Sequence, residues 1–538
     1  MTSRASGGTG PQLKESRTTD SSRPTRGPFV GWRVFVPTFL ILAAMSALWA
    51  LASPILSGPD ETAHATKAIA QLRGEITGHQ RVGAAYPVVD LPDSYRYSPQ
   101  IICFAAHPDV SADCKAQLGD ANGQNYFATW VSGYNPIYYY LVGWPSLIFG
   151  GSVGIMAMRL VSALLSAALL AWGFTAGMAS KRSRWMPAGL LFLASPMVSY
   201  LAAMINPQGL EIAASAALWI GLIRLFTRHR ADPDDRDVLS RRQLWILVVI
   251  AASLLACARS LGPLWLVIVV AISVATVGWG AAKRVLMTRR SYLPIGVVAV
   301  AGIFSIGWTL ATGSLSGQAG ATDAPLVGGS FLQGVWNTFR NTSGYFQQAA
   351  GVFGWLDTWL PGSLYAFFYL AFGLVVVLAA MATGRRGAMT MILLLVAAFA
   401  VPILVQGYSV HQTGIIWQGR YGIFLYLAVP VIGGWLLSNV RSPRVDFLSV
   451  RVTVIAASLL AVFSIMAFFI ALHRYIVGMN APLFAIVHAR GWQPPLGWVA
   501  LLVLFALVVA GWSAWVIRVA VLAAHRQERA GPALVGSP

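Results

Sequence analysis

Apolar stretches close to twenty residues long recur from one end of this chain to the other, and they leave it a single class of fold. They lie at about 34–53, 136–150, 153–179, 186–205, 209–227, 244–260, 262–280, 292–312, 364–381, 388–406, 420–437, 452–472 and 497–521. All but 136–150 approach the roughly 20 residues that a helix needs to cross the hydrocarbon core. Strands of a membrane barrel would alternate over short segments instead, and no such alternation occurs. Only 11% of the 538 residues are charged, against about 25% in soluble domains. The chain is expected to be an all-α integral membrane protein, a bundle of 12–13 transmembrane helices with a large extracytoplasmic first loop.

The net charge of +19 does not point to nucleic acid, because the basic residues stand in short clusters between the apolar stretches. Clusters follow 179, 227, 280, 381, 437 and 521. All can be cytoplasmic, as the positive-inside rule requires, if twelve of the thirteen segments cross. The exception is then 136–150, which opens Pro136-Ile137-Tyr138-Tyr139-Tyr140. Three successive tyrosines favour the headgroup region and an interfacial or re-entrant helix; if the segment crosses, the count is thirteen. The polar, aperiodic residues 1–33 read as a disordered cytoplasmic tail, 34–521 as the membrane domain, and 522–538 as a second cytoplasmic tail.

Two outer loops result, 54–134 and 313–363. The first holds eight of the 19 acidic residues, and two of them are adjacent where the first span ends, in Gly58-Pro59-Asp60-Glu61-Thr62-Ala63-His64. Pro59 suits the first position of a helix, on which Asp60, His64 and Lys67 share a face. Acids in a first helical turn also satisfy the helix dipole, so this pattern has a purely structural reading as well. Cys103 and Cys114 share the same loop, where an oxidising compartment permits a disulfide; Cys257 is a lone core residue.

Arg159, Arg259 and Arg420 lie within or at the ends of apolar stretches, where a charge costs at least roughly 2.5–3.5 kcal/mol. Glu211 is the one acid clearly inside a span, so ion pairs between spans cannot satisfy all three. Snorkelling to headgroups is the expectation for Arg159 and an equal alternative for Arg259. Arg420, in Trp417-Gln418-Gly419-Arg420-Tyr421, reads as a phosphate and sugar contact, since guanidinium matches phosphate through paired hydrogen bonds. Asn206-Pro207-Gln208-Gly209 reads first as a tight turn between two helices. No phosphate-binding glycine loop, Ser-His-Asp set or His-x-x-x-His pair occurs.

A first span ending in an Asp-Glu loop, then Pro-Ile-Tyr-Tyr-Tyr, then a span with an early arginine, resembles the GT-C polyprenyl-phosphate-sugar glycosyltransferases. Gly58 to His64, Asn206-Pro207-Gln208, Ala258-Arg259-Ser260-Leu261-Gly262-Pro263, the stretch 351–357 and Gln418-Gly419-Arg420-Tyr421 look like the DUF2142 family of bacterial membrane proteins, grouped with that superfamily. The resemblance implies a transferase in the bacterial plasma membrane with its active site on the extracytoplasmic side. It would pass a sugar from a polyprenyl-phosphate donor to an envelope glycan or lipid acceptor. Asp60 would be the general base, with Glu61 positioning the acceptor or binding a divalent cation if one is used. His64, Lys67, Arg259, Trp355, Asp357, Gln418, Arg420 and Tyr421 would contact the substrates. The alternatives are a transporter or flippase for a lipid-linked or anionic substrate, and a scaffold without catalysis.

Overall fold

A computed structural model describes residues 31–120, 123, 126–180, 182–228, 239–315 and 324–529. Of the expected tails, 1–30 and 530–538 lie outside the described residues, as do Lys181 and positions 229–238 of the basic clusters. Helices follow in the order α1 (Trp32–Ala52), α2 (Glu61–Gln71), α3 (Ile137–Gly143), α4 (Gly151–Met178), α5 (Met186–Leu190), α6 (Pro196–Ala203) and α7 (Pro207–Thr227). Next come α8 (Arg241–Ala258), α9 (Gly262–Val277), α10 (Trp279–Leu286), α11 (Arg289–Thr312), α12 (Phe331–Arg340), α13 (Thr342–Gly351) and α14 (Gly362–Ala382). The last are α15 (Gly384–Thr413), α16 (Ile423–Tyr426), α17 (Ala428–Ser438), α18 (Pro443–Val477), α19 (Ala485–His488) and α20 (Trp498–Arg529). Two short antiparallel strand pairs accompany them: β1 (Val88–Val89) with β2 (Phe127–Ala128) across the first loop, and β3 (Val352–Phe353) with β4 (Thr358–Trp359) as a hairpin.

Among the described residues, ten spans are long and apolar enough to cross a membrane, or twelve if two bent pairs each count as one. The all-α membrane fold expected from the sequence is the fold observed. The bent pairs are α5 with its following 3-10 turn and α6, which meet at 45°, and α9 with α10, which meet at 118°. Each break has a local cause. Pro196 opens α6 and cannot continue the hydrogen bonding of the preceding turn, and Gly278 takes φ 88° between α9 and α10, which a side chain would resist. Segment 136–150 forms only the seven-residue α3 and a 3-10 turn, too short to span. Its tyrosines also depart from the headgroup expectation: Tyr138 and Tyr139 are buried and only Tyr140 is exposed.

Helix α7 is the axis of the bundle, buried along nearly its whole length, whereas α11 is exposed along nearly all of it. Since lipid is as apolar as leucine, close packing rather than water exclusion holds such helices together. The break between α6 and α7 illustrates this: Gly209 lies so close to the end of α6 that a Cβ would come within 2.5 Å of the Leu201 carbonyl oxygen. Aromatic packing joins more distant parts. The ring of Trp49 on α1 lies 5.3 Å from Tyr200 on α6, 4.8 Å from Phe353 on β3 and 5.0 Å from Phe468 on α18.

The first polar loop is fastened at two points. Cys103 and Cys114 form a disulfide. Arg474, at the end of α18, donates to the carbonyls of Val110 at 2.7 Å and Phe104 at 2.6 Å and to Asp357 Oδ2 at 2.8 Å. One buried guanidinium thus binds both loops to the bundle.

Gly209→Ala is expected to lower stability by about 1–3 kcal/mol, the usual cost of overpacking. Gly296→Ala on α11, where a Cβ meets nothing within 4 Å, serves as the control with no loss. Thermal unfolding in detergent measures both, and equal shifts would contradict the close α6–α7 approach.

Candidate functional site

Where α1 ends, the chain turns through Ser53–Asp60 and enters α2 at Glu61 rather than at Pro59, two residues later than the sequence pattern suggests. Asp60 is the residue before the helix and adopts φ 58°, ψ 11°. That left-handed conformation costs a residue with a side chain roughly 1–2 kcal/mol, and aspartate is among the few that visit it. The backbone is held there from outside: Asn206 Nδ2 donates to the Pro59 carbonyl at 2.8 Å.

The turn sends the two adjacent carboxylates in different directions. Glu61 points inward and is fully buried. Arg159 Nε donates to its Oε1 at 2.7 Å and Arg159 Nη2 to its Oε2 at 2.5 Å. Backbone N–H groups of Ile205 and Gly58 complete it at 3.0 Å and 2.9 Å. The remaining Arg159 donors reach the carbonyls of Ala50, Ser53 and Pro54. Snorkelling of Arg159 to headgroups is therefore corrected: its partner comes from a loop residue folded back into the bundle. Both Glu61 oxygens are occupied, and among the described residues no three His, Cys, Asp or Glu side chains are grouped to hold a metal ion. Glu61 therefore has no open oxygen for a divalent cation.

Asp60 points the other way and keeps 26% of its side chain exposed. Its Oδ2 accepts from Arg420 Nη2 at 2.6 Å. Arg420 Nε in turn donates to Gln418 Oε1 at 2.6 Å, and Tyr421 OH lies 3.5 Å from Nη2. Nη1 of Arg420 is buried and has no partner. Arg259, at the end of α8, stands over the Tyr421 ring at 4.5 Å and the Tyr134 ring at 5.9 Å. Burial opposes ionisation of Asp60, but the Arg420 and Arg259 guanidiniums favour it, and its carboxyl is held below the usual range.

His64 lies beneath this pair, sharing a hydrogen bond of 2.9 Å with Tyr139 OH. Burial pushes its imidazole down to about 3 despite the opposing charge of Asp60, so it is neutral at physiological pH. Lys67 lies over the Tyr139 ring at 5.0 Å and is engaged by the loop. Its ammonium donates to the carbonyls of Ile76 at 2.8 Å and Ser132 at 2.5 Å, and burial pushes it down to about 7. Asp357 is engaged by Arg474, the Ala106 N–H and Thr358, and Trp355 packs its ring 6.5 Å from Trp130.

The structure therefore unites Asp60, His64, Arg259, Gln418, Arg420 and Tyr421, and it sets Glu61, Lys67 and Asp357 to fastening the loops. His64 lies on α2, and the other united groups sit next to span ends: after α1 and α8, and at the start of the span Gly419–Ser438. Sequence reasoning missed Arg474, whose signal was an arginine at the end of a long apolar stretch. It also missed Tyr134 and Tyr139, which carry no spacing signal.

A family model described as a predicted membrane protein, DUF2142, matches residues 43–431. No curated protein and no solved structure matches the chain.

Two outcomes follow from this geometry. Glu61→Ala leaves Arg159 charged, buried and unpaired, so stability should fall by about 3–5 kcal/mol, with loss of monodisperse protein in size-exclusion chromatography; Asp60→Asn should cost far less. For His64, the unfolded chain takes up a proton below its ordinary pKa of 6.5 that the folded protein refuses until about pH 3. Stability should therefore fall as pH drops through that window, by up to about 1.4 kcal/mol per pH unit. Denaturation midpoints recorded from pH 7 to 4 should show this component vanish in His64→Gln.

Proposed function

The chain belongs to the DUF2142 family of predicted membrane proteins, and from that we propose a glycosyltransferase of the GT-C kind that uses a polyprenyl-phosphate sugar. The observation that carries this reading is the Arg420 fork: one amine holds Asp60 at 2.6 Å while the other is buried without a partner. A carboxylate and a spare guanidinium donor at a span end suit a reaction that needs a base and an anion site together.

In this reading Asp60 takes the proton of an acceptor hydroxyl. The hydroxyl oxygen bonds to the anomeric carbon as the bond from that carbon to the phosphate oxygen breaks. The lipid phosphate leaves with the electron pair, and Arg420, supported by Arg259, takes up its charge. While Arg420 is clamped on Asp60 the carboxylate is a weak base. A donor phosphate that draws the guanidinium toward itself raises the basicity of Asp60 where the hydroxyl must be activated. A single carboxylate acting opposite the leaving group favours inversion at the anomeric carbon.

The disulfide in the same loop favours an oxidising side of the membrane, in keeping with a bacterial plasma membrane and an extracytoplasmic site facing an envelope glycan or lipid acceptor. A transporter would carry its ionisable groups near the midplane on facing helices. The gathering of Asp60, Arg259 and Arg420 at span ends favours the enzyme.

Mass spectrometry of lipids that copurify with the protein tests the proposal. A polyprenyl phosphate, bare or glycosylated, is expected on the wild type and lost from Arg420→Ala; ordinary phospholipids alone on both would overturn it. Asp60→Asn is expected to keep the lipid and lose sugar transfer by about 100-fold or more.

A further inference from the structure

The first turn of α7 carries a polar surface that neither the fold nor the proton transfer at Asp60 uses. Asn206, the residue before the helix, is fully engaged: its Oδ1 accepts from the Gln208 N–H and its Nδ2 holds Pro59. Asn206 thus accounts for the turn between α6 and α7. Gln208 has no such task, and Glu211 answers to the charge of Arg259. They are three apart and share a face of the helix, each is 1% exposed, and Gln208 Nε2, Gln208 Oε1 and Glu211 Oε2 have no hydrogen-bond partner. Buried polar groups are almost always satisfied, so three open atoms on one turn of the most buried helix call for a ligand.

The surroundings define its chemistry. Arg259 interacts electrostatically with Glu211 and stands over Tyr421, so this surface adjoins the Asp60–Arg420 pair. The Tyr421 ring also meets Trp417 edge to face at 5.6 Å. A free anion would be repelled by Glu211, and a cation would be opposed by Arg259. What matches an amide that offers one donor and one acceptor, a carboxylate acceptor and a guanidinium donor is a group that donates and accepts at each position. Hydroxyl groups do so, and aromatic walls with few placed polar groups are the usual make-up of a small-molecule site.

We infer that Gln208 and Glu211, with Arg259, form a subsite that recognises the hydroxyl groups of a sugar. The inference rests on the glycosyl-transfer reading and assigns to α7 the choice of which sugar is transferred. Glu211 and Gln208 are then specificity residues, placed beside the anion site but separate from it.

The test uses the full chain in detergent with a panel of methyl hexopyranosides and methyl pentopyranosides, which carry hydroxyls and no phosphate. Binding is read by calorimetry and by the shift in thermal unfolding. At least one glycoside is expected to bind the wild type, with affinity reduced about tenfold or more in Gln208→Leu and in Glu211→Gln and retained in Arg420→Ala. Gln208→Leu should be at least as stable as the wild type without ligand, because it removes a polar group that has no partner. The inference is overturned if no glycoside binds the wild type, if a buried water only occupies the surface so that both variants bind unchanged, or if Gln208→Leu unfolds. Glycoside binding without any copurified polyprenyl phosphate would keep the subsite and remove the lipid-phosphate donor, so the two failures are told apart.

Discussion

The Glu61–Arg159 pair is the contact on which the rest of this structure depends. Its carboxylate leaves a polar loop, enters the bundle and meets a guanidinium that would otherwise sit uncompensated on α4. It also accepts the N–H of Ile205 at 3.0 Å, inside the non-helical stretch between α6 and α7. Irregular backbone at such depth is tolerated only where protein groups satisfy it. One side chain therefore holds the loop down, neutralises an arginine and stabilises a broken helix. Replacing such a pair with apolar residues is often harmless, whereas removing one partner is costly, so the pair specifies an arrangement more than it adds stability.

Because Glu61 is anchored inward, Asp60 must face outward, and the left-handed backbone at that residue makes the change of direction within one peptide unit. Adjacent carboxylates acquire opposite environments in this way. The buried one is saturated by four donors, two from Arg159 and one each from Ile205 and Gly58, and so is chemically closed; the partly exposed one answers to a single guanidinium. Asn206 completes the arrangement from the far side, linking the start of α7 to Pro59. The same turn of α7 that secures Asp60 presents Gln208 and Glu211 beside it.

Much of the fold was legible from hydrophobicity alone. Span after span agrees with the apolar stretches, and the weak segment 136–150 is the one that fails to cross. The charges that the fold gathers were legible too, since Asp60, Arg259 and Arg420 each mark a span end with a charge that lipid alone cannot satisfy. What misled was pairing. Counting acids inside spans left Arg159 without a partner and suggested headgroups, because the partner belongs to a loop that folds back. Asp357 and Lys67 looked equally suited to a substrate, yet Arg474 claims the first and two carbonyls claim the second.

The sequence by itself determined the class of fold, the number of spans to within one or two, and the pool of charged residues at their ends. These follow from local physics: a run of apolar residues must be helical in lipid, whatever surrounds it. Tertiary structure alone decided which charge meets which, since Asp60 and Arg420 are brought to 2.6 Å from opposite parts of the chain. Partner choice depends on the path of the loop, on a left-handed residue and on a break in a distant helix. No local pattern encodes that combination, so identical residue types became anchors in one place and open chemistry in another.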